Sequence, residues 1–251
     1  NQHHVSTHTR KILKKMVAEG TKFVVATGRH HIDVKAIRDA LGLEIYLVTS
    51  NGAVVTDKQD QIIFNRTLPE DIAQELSELP LPDPEIAVNI YTPDAWYTNK
   101  EMPEYLEYHR DTGFCYIKTD LTKLDKSSIN KYFFIAEHEP LLELENTLLE
   151  RYQGQLSIAF SQPDCLEVMA LGINKGAAIT SILEQNNIPL DSAIAFGDGM
   201  NDYEMLSIVG HGVVMGNAHD RLKMALPDLP RAGINDEDGV AEYLQRLLFS
   251  E

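Results

Sequence analysis

The residues best suited to chemistry lie in one short stretch, AFGDGMND, from Ala195 to Asp202. An apolar run, Ala193 to Phe196, ends abruptly in glycine and acids. A buried parallel strand delivers carboxylates in this way to its carboxyl end, where α/β proteins bind ligands. Gly197 and Gly199 permit a tight turn and a close backbone approach to an anion or a metal. Asp198, Asn201 and Asp202 offer oxygen-bearing groups with no sulfur or imidazole beside them. Such a donor set suits a hard cation such as magnesium and the phosphate it accompanies. An Asx-rich surface turn uses the same residue types, so the rest of the chain must decide between the two.

Other polar positions fall where strands end and helices begin. Thr27-Gly28-Arg29 follows FVVA, Ser50-Asn51-Gly52 follows IYLVT, and Lys175-Gly176 opens a helical pattern. In a doubly wound sheet such points converge on one rim however distant they are in sequence. Thr27 offers a hydroxyl, and the amides of Gly28 and Arg29 can point at an anion from a helix start; a plain helix cap is the alternative. Lys175 can balance charge on a phosphoryl group or an attacking carboxylate. A solvated lysine is the commoner reading in isolation, but the helix dipole disfavours a cation there and so favours a functional cause. Asp198 is the expected metal ligand, Asn201 a phosphate contact, and Asp202 a support for Lys175 or a metal-bound water. Arg29 either binds substrate or makes a surface ion pair.

Several other groups carry less. His30 and His31 read as a satisfied surface pair at a helix start, and His3, His4 and His8 match no compact metal site. Tyr91, Trp96 and Tyr97 read as core or rim rather than a stacking platform. The gap from Gly197 to Asn201 does not fit a dinucleotide fingerprint, and GDGMND lacks the lysine of a phosphate loop.

The elements that must position these groups follow from the hydrophobic period. A helix is expected from about His8 to Glu19, capped by Ser6 or Thr7, then a strand from Lys22 to Ala26 and a helix from His31 to Leu41 closed by Gly42. Ile45 to Thr49 reads as a strand, and Val54 to Arg66 as a hairpin turning at Lys58-Gln59-Asp60. A helix from Pro69 to Leu79 precedes Pro80, Pro82 and Pro84, which mark a boundary. The texture then changes. A hairpin about Pro93-Asp94, a helix from Glu101 to Arg110, strands over Cys115 to Thr119 and Asn130 to Ala136, a helix from Pro140 to Tyr152 and a hairpin about Gln162-Pro163-Asp164 read as an inserted α+β unit. Helices over Lys175 to Gln185, Asp202 to Ile208, His219 to Ala225 and Asp238 to Leu248 return with strands over Ala193 to Phe196 and Gly212 to Met215. The fold class expected is α/β: a doubly wound parallel-sheet core in two parts, 1–67 and 172–251, with an inserted α+β cap over 68–171. Such a sheet needs a first, central strand ahead of its first helix, so the natural sequence is expected to extend upstream of Asn1.

Composition narrows the partners. The 251 residues are 43% hydrophobic and 24% charged, with a formal net charge of -16. That charge argues against a nucleic-acid backbone or an anionic membrane, and an anionic substrate would need local positive groups or a bound cation. Cys115 and Cys165 are too few for a disulfide scaffold, no apolar run reaches membrane-spanning length, and a cytoplasmic protein is expected, as monomer or weak homodimer.

Taken together, TGR at Thr27 to Arg29, SNGA at Ser50 to Ala53, NKG at Asn174 to Gly176 and GDGMND at Gly197 to Asp202 resemble the haloacid dehalogenase superfamily, in its Cof-type branch with a large α+β cap. The resemblance implies a magnesium-dependent phosphatase of small phosphorylated metabolites, such as sugar phosphates or pyridoxal phosphate, working through an aspartyl phosphate. It implies phosphate binding by Thr27, Gly28, Lys175 and Asn201, magnesium at Asp198, substrate contacts from Asn51 and Arg29, and catalytic roles for Lys175, Thr27 and Asp202. The cap would close over the substrate, and Cys165, Glu167 and Met169 follow a family-like pattern near its return. The family's first motif, DxDGT, which carries the nucleophile, has no counterpart here. That aspartate is expected upstream of Asn1, and the chain as given is expected to turn over phosphate esters near background. A non-catalytic phosphate-metabolite binding or regulatory protein is the alternative. A phosphomutase or transferase would need a second sugar-phosphate site, and the cap shows no strongly basic cluster.

Overall fold

The computed structural model describes residues 5–109 and 112–249. Its first helix, α1 (Thr7–Ala18), is capped by Ser6, whose hydroxyl accepts from the Thr9 amide, and it buries Ile12, Leu13 and Met16 along one stripe. β1 (Val24–Ala26) runs parallel to β2 (Tyr46–Thr49), joined to it by α2 (His31–Leu41). α2 stops where Gly42 takes a left-handed φ of 64° and returns its amide to the last turn. β3 (Val54–Thr56) and β4 (Ile62–Asn65) extend this sheet antiparallel, in the order β1-β2-β3-β4.

The inserted unit contains α3 (Glu70–Ser77), β5 (Ala87–Tyr91), β6 (Trp96–Thr98), α4 (Pro103–Tyr108), β7 (Tyr116–Lys118), β8 (Lys131–Ile135), α5 (His138–Arg151), β9 (Leu156–Gln162) and β10 (Cys165–Ala170). Its six-stranded sheet has the order β7-β6-β5-β8-β10-β9, antiparallel except between β6 and β7. Strand alternation decides what each face does. Tyr132, Phe134, Leu166 and Val168 face α3 and α5, where they pack with Ile72, Leu76, Leu141 and Leu148. Phe133, Ile135 and Cys165 face the other way, with Tyr91, Trp96 and Phe114.

The chain then returns to the α/β core with α6 (Lys175–Gln185), β11 (Ile194–Gly197), α7 (Tyr203–Ile208), β12 (His211–Val214), α8 (Asp220–Ala225) and α9 (Gly239–Phe249). β11 and β12 are parallel. α1 and α9 pack together against Phe23, Ile194 and Phe196, while α6 and α7 pack against Val48, Val55 and Val213. Helices therefore cover the strands in two layers, the α/β arrangement expected. Among the described residues the core strands form a four-stranded and a two-stranded sheet, and the antiparallel β3 and β4 make the larger one mixed rather than wholly parallel.

Several expectations change: α4 and α5 run over Pro103–Tyr108 and His138–Arg151 rather than from Glu101 and from Pro140, and Arg110 lies outside the described residues. Asp202 closes a 3₁₀ turn, Met200–Asp202, and α7 starts one residue later. His30 is not a surface residue: its Nδ1 accepts from the Ile32 amide (3.2 Å) and its Nε2 meets the Thr92 carbonyl (2.8 Å) in the β5–β6 turn. The physical reason is a long-range contact, because that hairpin packs onto the start of α2. His31 is half-buried beside it, its ring 4.5 Å from that of His30. His8 pairs with Glu242 at 3.3 Å, and His3 and His4 lie outside the described residues. Tyr91 and Trp96 are core, as expected. Among the described residues no helix is long and apolar enough to cross a membrane.

Candidate active site

The four polar turns singled out in the sequence interlock. Thr27 and Arg29 present carbonyls to the amides of Asn51 and Ser50, at 3.0 and 2.9 Å, so the turn after β1 is laced to the turn after β2. Ser50, Asn51 and Gly52 all hold positive φ, at 48°, 58° and 102°. The run is costly for Ser50 and Asn51, and it is where a chain stores strain to aim a side chain. A Cβ on Gly52 would stand 2.6 Å from the Asn174 carbonyl, so this turn abuts the start of α6. There Asn174 caps the helix by accepting from the Ala177 amide at 2.8 Å.

Lys175 then reaches Asp202, Nζ to Oδ1, at 2.6 Å, with both side chains buried. The other oxygen of Asp202 accepts from the amides of Asp198 (2.8 Å) and Gly199 (3.0 Å). One carboxylate thus holds the lysine and folds the turn that aims Asp198. The Asp198 backbone and side chain are fixed from a further loop: its carbonyl accepts from the His219 amide and its Oδ2 from Asn217 Nδ2, at 2.9 and 3.0 Å. Burial, and then the charge of Asp202, push the Asp198 carboxyl above its ordinary range.

Thr27, Gly28, Arg29, Lys175, Asp198 and Asn201 all line one cavity of about 670 Å³. Asn51 and Asp202 stand just behind them, Asn51 accepting from Asn201 Nδ2 at 3.0 Å. The opposite wall comes from the six-stranded sheet: Tyr91, Lys131, Phe133, Cys165 and Glu167. The structure therefore brings every predicted site residue to one place. It also refines the details. The Arg29 amide donates to Thr27 Oγ1 at 3.1 Å rather than pointing into the cavity, and α2 is capped by His30 and not by Thr27. Arg29 pairs with Asp33 one turn along α2.

Asp33 is the centre of a further cluster. It is fully buried and accepts from Arg29 and from Thr112, and His109 Nδ1 lies 3.1 Å away. Burial pushes its carboxyl up, but these partners outweigh burial and hold it at about 2. Since His109 and Thr112 belong to the inserted unit, Asp33 ties that unit to the core.

Lys131 was not singled out in the sequence, and Glu167 was noted only as part of a pattern. They meet at 2.6 Å with both side chains almost wholly buried. A lone charge inside each of two apolar strands was the available signal, because such charges are buried only in pairs. Cys165 lines the same wall, and burial pushes its thiol up to about 12, so it is no nucleophile at neutral pH.

The oxygen donors at the Asp198 turn fit a hard cation in kind, and burial together with the charge of Asp202 outweighs the nearby Lys175 ammonium at the Asp198 carboxyl. Asp202 is committed to Lys175 and two amides. Among the described residues no group of three or more His, Cys, Asp or Glu is gathered to hold a metal. A DxDG pattern does occur at Asp236 to Gly239, but Asp238 accepts from Ser6 and Thr9 and neither acid lines the cavity.

Comparison with known proteins places these features in context. A family model described as haloacid dehalogenase-like hydrolase matches residues 1–244. The HMP-PP phosphatase of Yersinia pseudotuberculosis is 36% identical over 248 residues, which is 99% of this chain and 90% of that protein. A haloacid dehalogenase-like hydrolase from B. subtilis superposes with a TM-score of 0.87 at 26% identity, over 98% of this chain and 95% of the other. The HAD subclass IIB sugar phosphatase BT4131 shares the fold, with a TM-score of 0.81 at 20% identity, over 98% and 92% of the two chains.

Proposed function

This chain belongs to the haloacid dehalogenase-like hydrolase family, and from that premise we propose that it is a magnesium-dependent phosphatase of small phosphorylated metabolites. The observation that carries the reading is the convergence of Thr27, Lys175, Asp198 and Asn201 on one cavity, under the face of the inserted sheet. In this proposal the Thr27 hydroxyl, the Gly28 backbone, Asn201 and the Lys175 ammonium bind the phosphoryl oxygens, and Lys175 offsets the charge that grows on them in the transition state. Asp202 keeps that ammonium in place. Asn51 and Arg29 contact the substrate. Asp198 holds magnesium, which supplies further charge neutralisation when bound. The nucleophile is proposed to be the aspartate of the family's DxDGT motif, which Asn1 to Glu251 does not contain.

Residues 68–171 are proposed as the cap and 1–67 with 172–251 as the core. The cap wall would exclude water and select the group attached to phosphate. The finer resemblance of the motifs, to enterobacterial phosphatases of sugar phosphates and pyridoxal phosphate, and the Yersinia relative's name together set the substrate panel: sugar phosphates, pyridoxal phosphate and HMP-PP. A cytoplasmic setting belongs to the same proposal, in keeping with the free thiols of Cys115 and Cys165.

The test uses the full-length protein with magnesium, on p-nitrophenyl phosphate and on that panel. Magnesium-dependent release of phosphate is expected. A protein that binds inorganic phosphate but releases none from any ester would overturn the enzyme reading in favour of a phosphate-metabolite binding protein.

A further inference from the structure

We infer that Glu167, on the cap strand β10, is a positioning residue that sets the amides of Asn51 and Asn201, with Lys131 holding it in place. The inference rests on the phosphatase reading above, and it adds a cap residue to a phosphate site otherwise built from the core.

The hydrogen bonds leave little freedom. Glu167 is 3% exposed, so protein groups supply most of the hydrogen bonds to its carboxylate. Oε1 accepts from Lys131 Nζ at 2.6 Å, and Oε2 accepts from Asn51 Nδ2. Asn201 Nδ2 lies 3.5 Å from the same Oε2 and 3.0 Å from Asn51 Oδ1. A carboxylate accepts and never donates, whereas a carboxamide does both. Asn51 must therefore turn its NH₂ group to Glu167, which leaves its oxygen for Asn201. The NH₂ group of Asn201 is fixed in turn. One acid on the cap decides the orientation of two amides on the core.

The surroundings hold that acid in place. Lys131 and Glu167 sit diagonally on neighbouring strands, Glu167 opposite Phe133 and Lys131 opposite Met169, on the same face. The Lys131 ammonium lies 4.8 Å from the centres of the Tyr91 and Phe133 rings and donates to the Gly28 carbonyl at 2.6 Å. Gly28 must also be glycine for Glu167 to lie here: a Cβ would stand 2.9 Å from Oε1 and 3.1 Å from Asn51 Oδ1. The cap acid rests directly on the turn that is to receive phosphate.

The experiment measures KM and kcat on p-nitrophenyl phosphate, and inhibition by inorganic phosphate, in the full-length protein with magnesium. Wild type, Glu167→Gln, Asn51→Ala and the double variant are compared. Glu167→Gln is expected to raise KM and the phosphate inhibition constant about tenfold with kcat within about threefold, as for a lost binding interaction. In the Asn51→Ala background the same change should alter KM less than about twofold, because Glu167 acts through Asn51. A purely structural role would lower the folded fraction, and so kcat, while leaving KM unmoved. That result, or full additivity of the two variants, overturns the inference. If Glu167→Gln fails to fold, Glu167→Gln with Lys131→Met withdraws both charges and carries the same expectation. A wild type that neither turns over the ester nor binds phosphate overturns both readings; an active wild type beside an indifferent Glu167→Gln overturns this one alone.

Discussion

Lys175 and Asp202 are bound Nζ to Oδ1 at 2.6 Å, with each side chain 6% exposed. The ammonium stands at the first position of α6, where the helix dipole opposes it. Asp202 offsets that cost and at the same time folds the Gly197–Asp202 turn through its other oxygen. The pair joins two elements that the cavity needs in register, the start of α6 and the end of β11.

Removing the lysine separates its roles. Lys175→Met is expected to lower kcat/KM by about a hundredfold or more, the loss typical of a transition-state charge contact. It also leaves Asp202 as a buried carboxylate with only amide partners, which costs about 3 kcal/mol or more. Steady-state kinetics and urea unfolding measure the two effects. A variant that keeps its kcat/KM would remove Lys175 from the reaction.

Asp198 makes an opposite prediction for stability. Its carboxyl is raised by burial and by the charge of Asp202, so ionising it works against the fold as pH rises above its ordinary value. Asp198→Asn should therefore be at least as stable as wild type in EDTA at neutral pH. Added magnesium should raise the Tm of wild type and not that of the variant, which should also be inactive. Equal magnesium shifts in both proteins would place the cation elsewhere.

How far the sequence carried this site depends on which interactions are local. The end of α2 at Gly42 and the start of α6 at Lys175 were legible, since each rests on a local signal in the chain. The convergence of Thr27, Asn51, Lys175 and Asp198 follows from topology, since each ends a strand or starts a helix in one α/β core. Lys131 and His30 were not legible, because what buries them comes from distant chain. Lys131 takes its place from β10 and Gly28, and His30 from the Thr92 carbonyl. A charge or imidazole in a sequence carries no mark of a partner far along the chain.

Glycine positions with similar backbones should respond differently. Gly52 and Gly20 hold φ of 102° and 96°, yet a Cβ on Gly20 meets nothing within 4 Å while one on Gly52 stands 2.6 Å from the Asn174 carbonyl. Gly20→Ala should cost about 1 kcal/mol, the conformational cost alone. Gly52→Ala should cost roughly 3 kcal/mol or more, since backbone has to move, and it should raise KM through the displaced Asn51. Urea unfolding of both variants checks the ranking, and equal losses would show that the Asn174 contact yields freely.

His30 gives the fold an acid-sensitive contact between core and cap. Burial lowers its imidazole from 6.5 to about 4, although the Thr92 carbonyl favours the charged ring. The neutral ring is what the hydrogen bonds require, because Nδ1 accepts from the Ile32 amide and loses that bond once protonated. As pH falls, the unfolded chain takes the proton first. The contribution is whole above pH 6.5, erodes below it and is gone by about pH 4, for a loss on the order of 3 kcal/mol at most. Asp33 does not blur this window, since its carboxyl is held at about 2 and its own contribution is lost only below its ordinary 3.8. His30→Asn keeps an acceptor for the Ile32 amide and cannot titrate. It should be less stable than wild type at about pH 7, having lost the Thr92 bond, and lose less on going to about pH 4.5. Urea unfolding at both pH values measures the difference, and parallel losses in the two proteins would mean that the proton goes to another group.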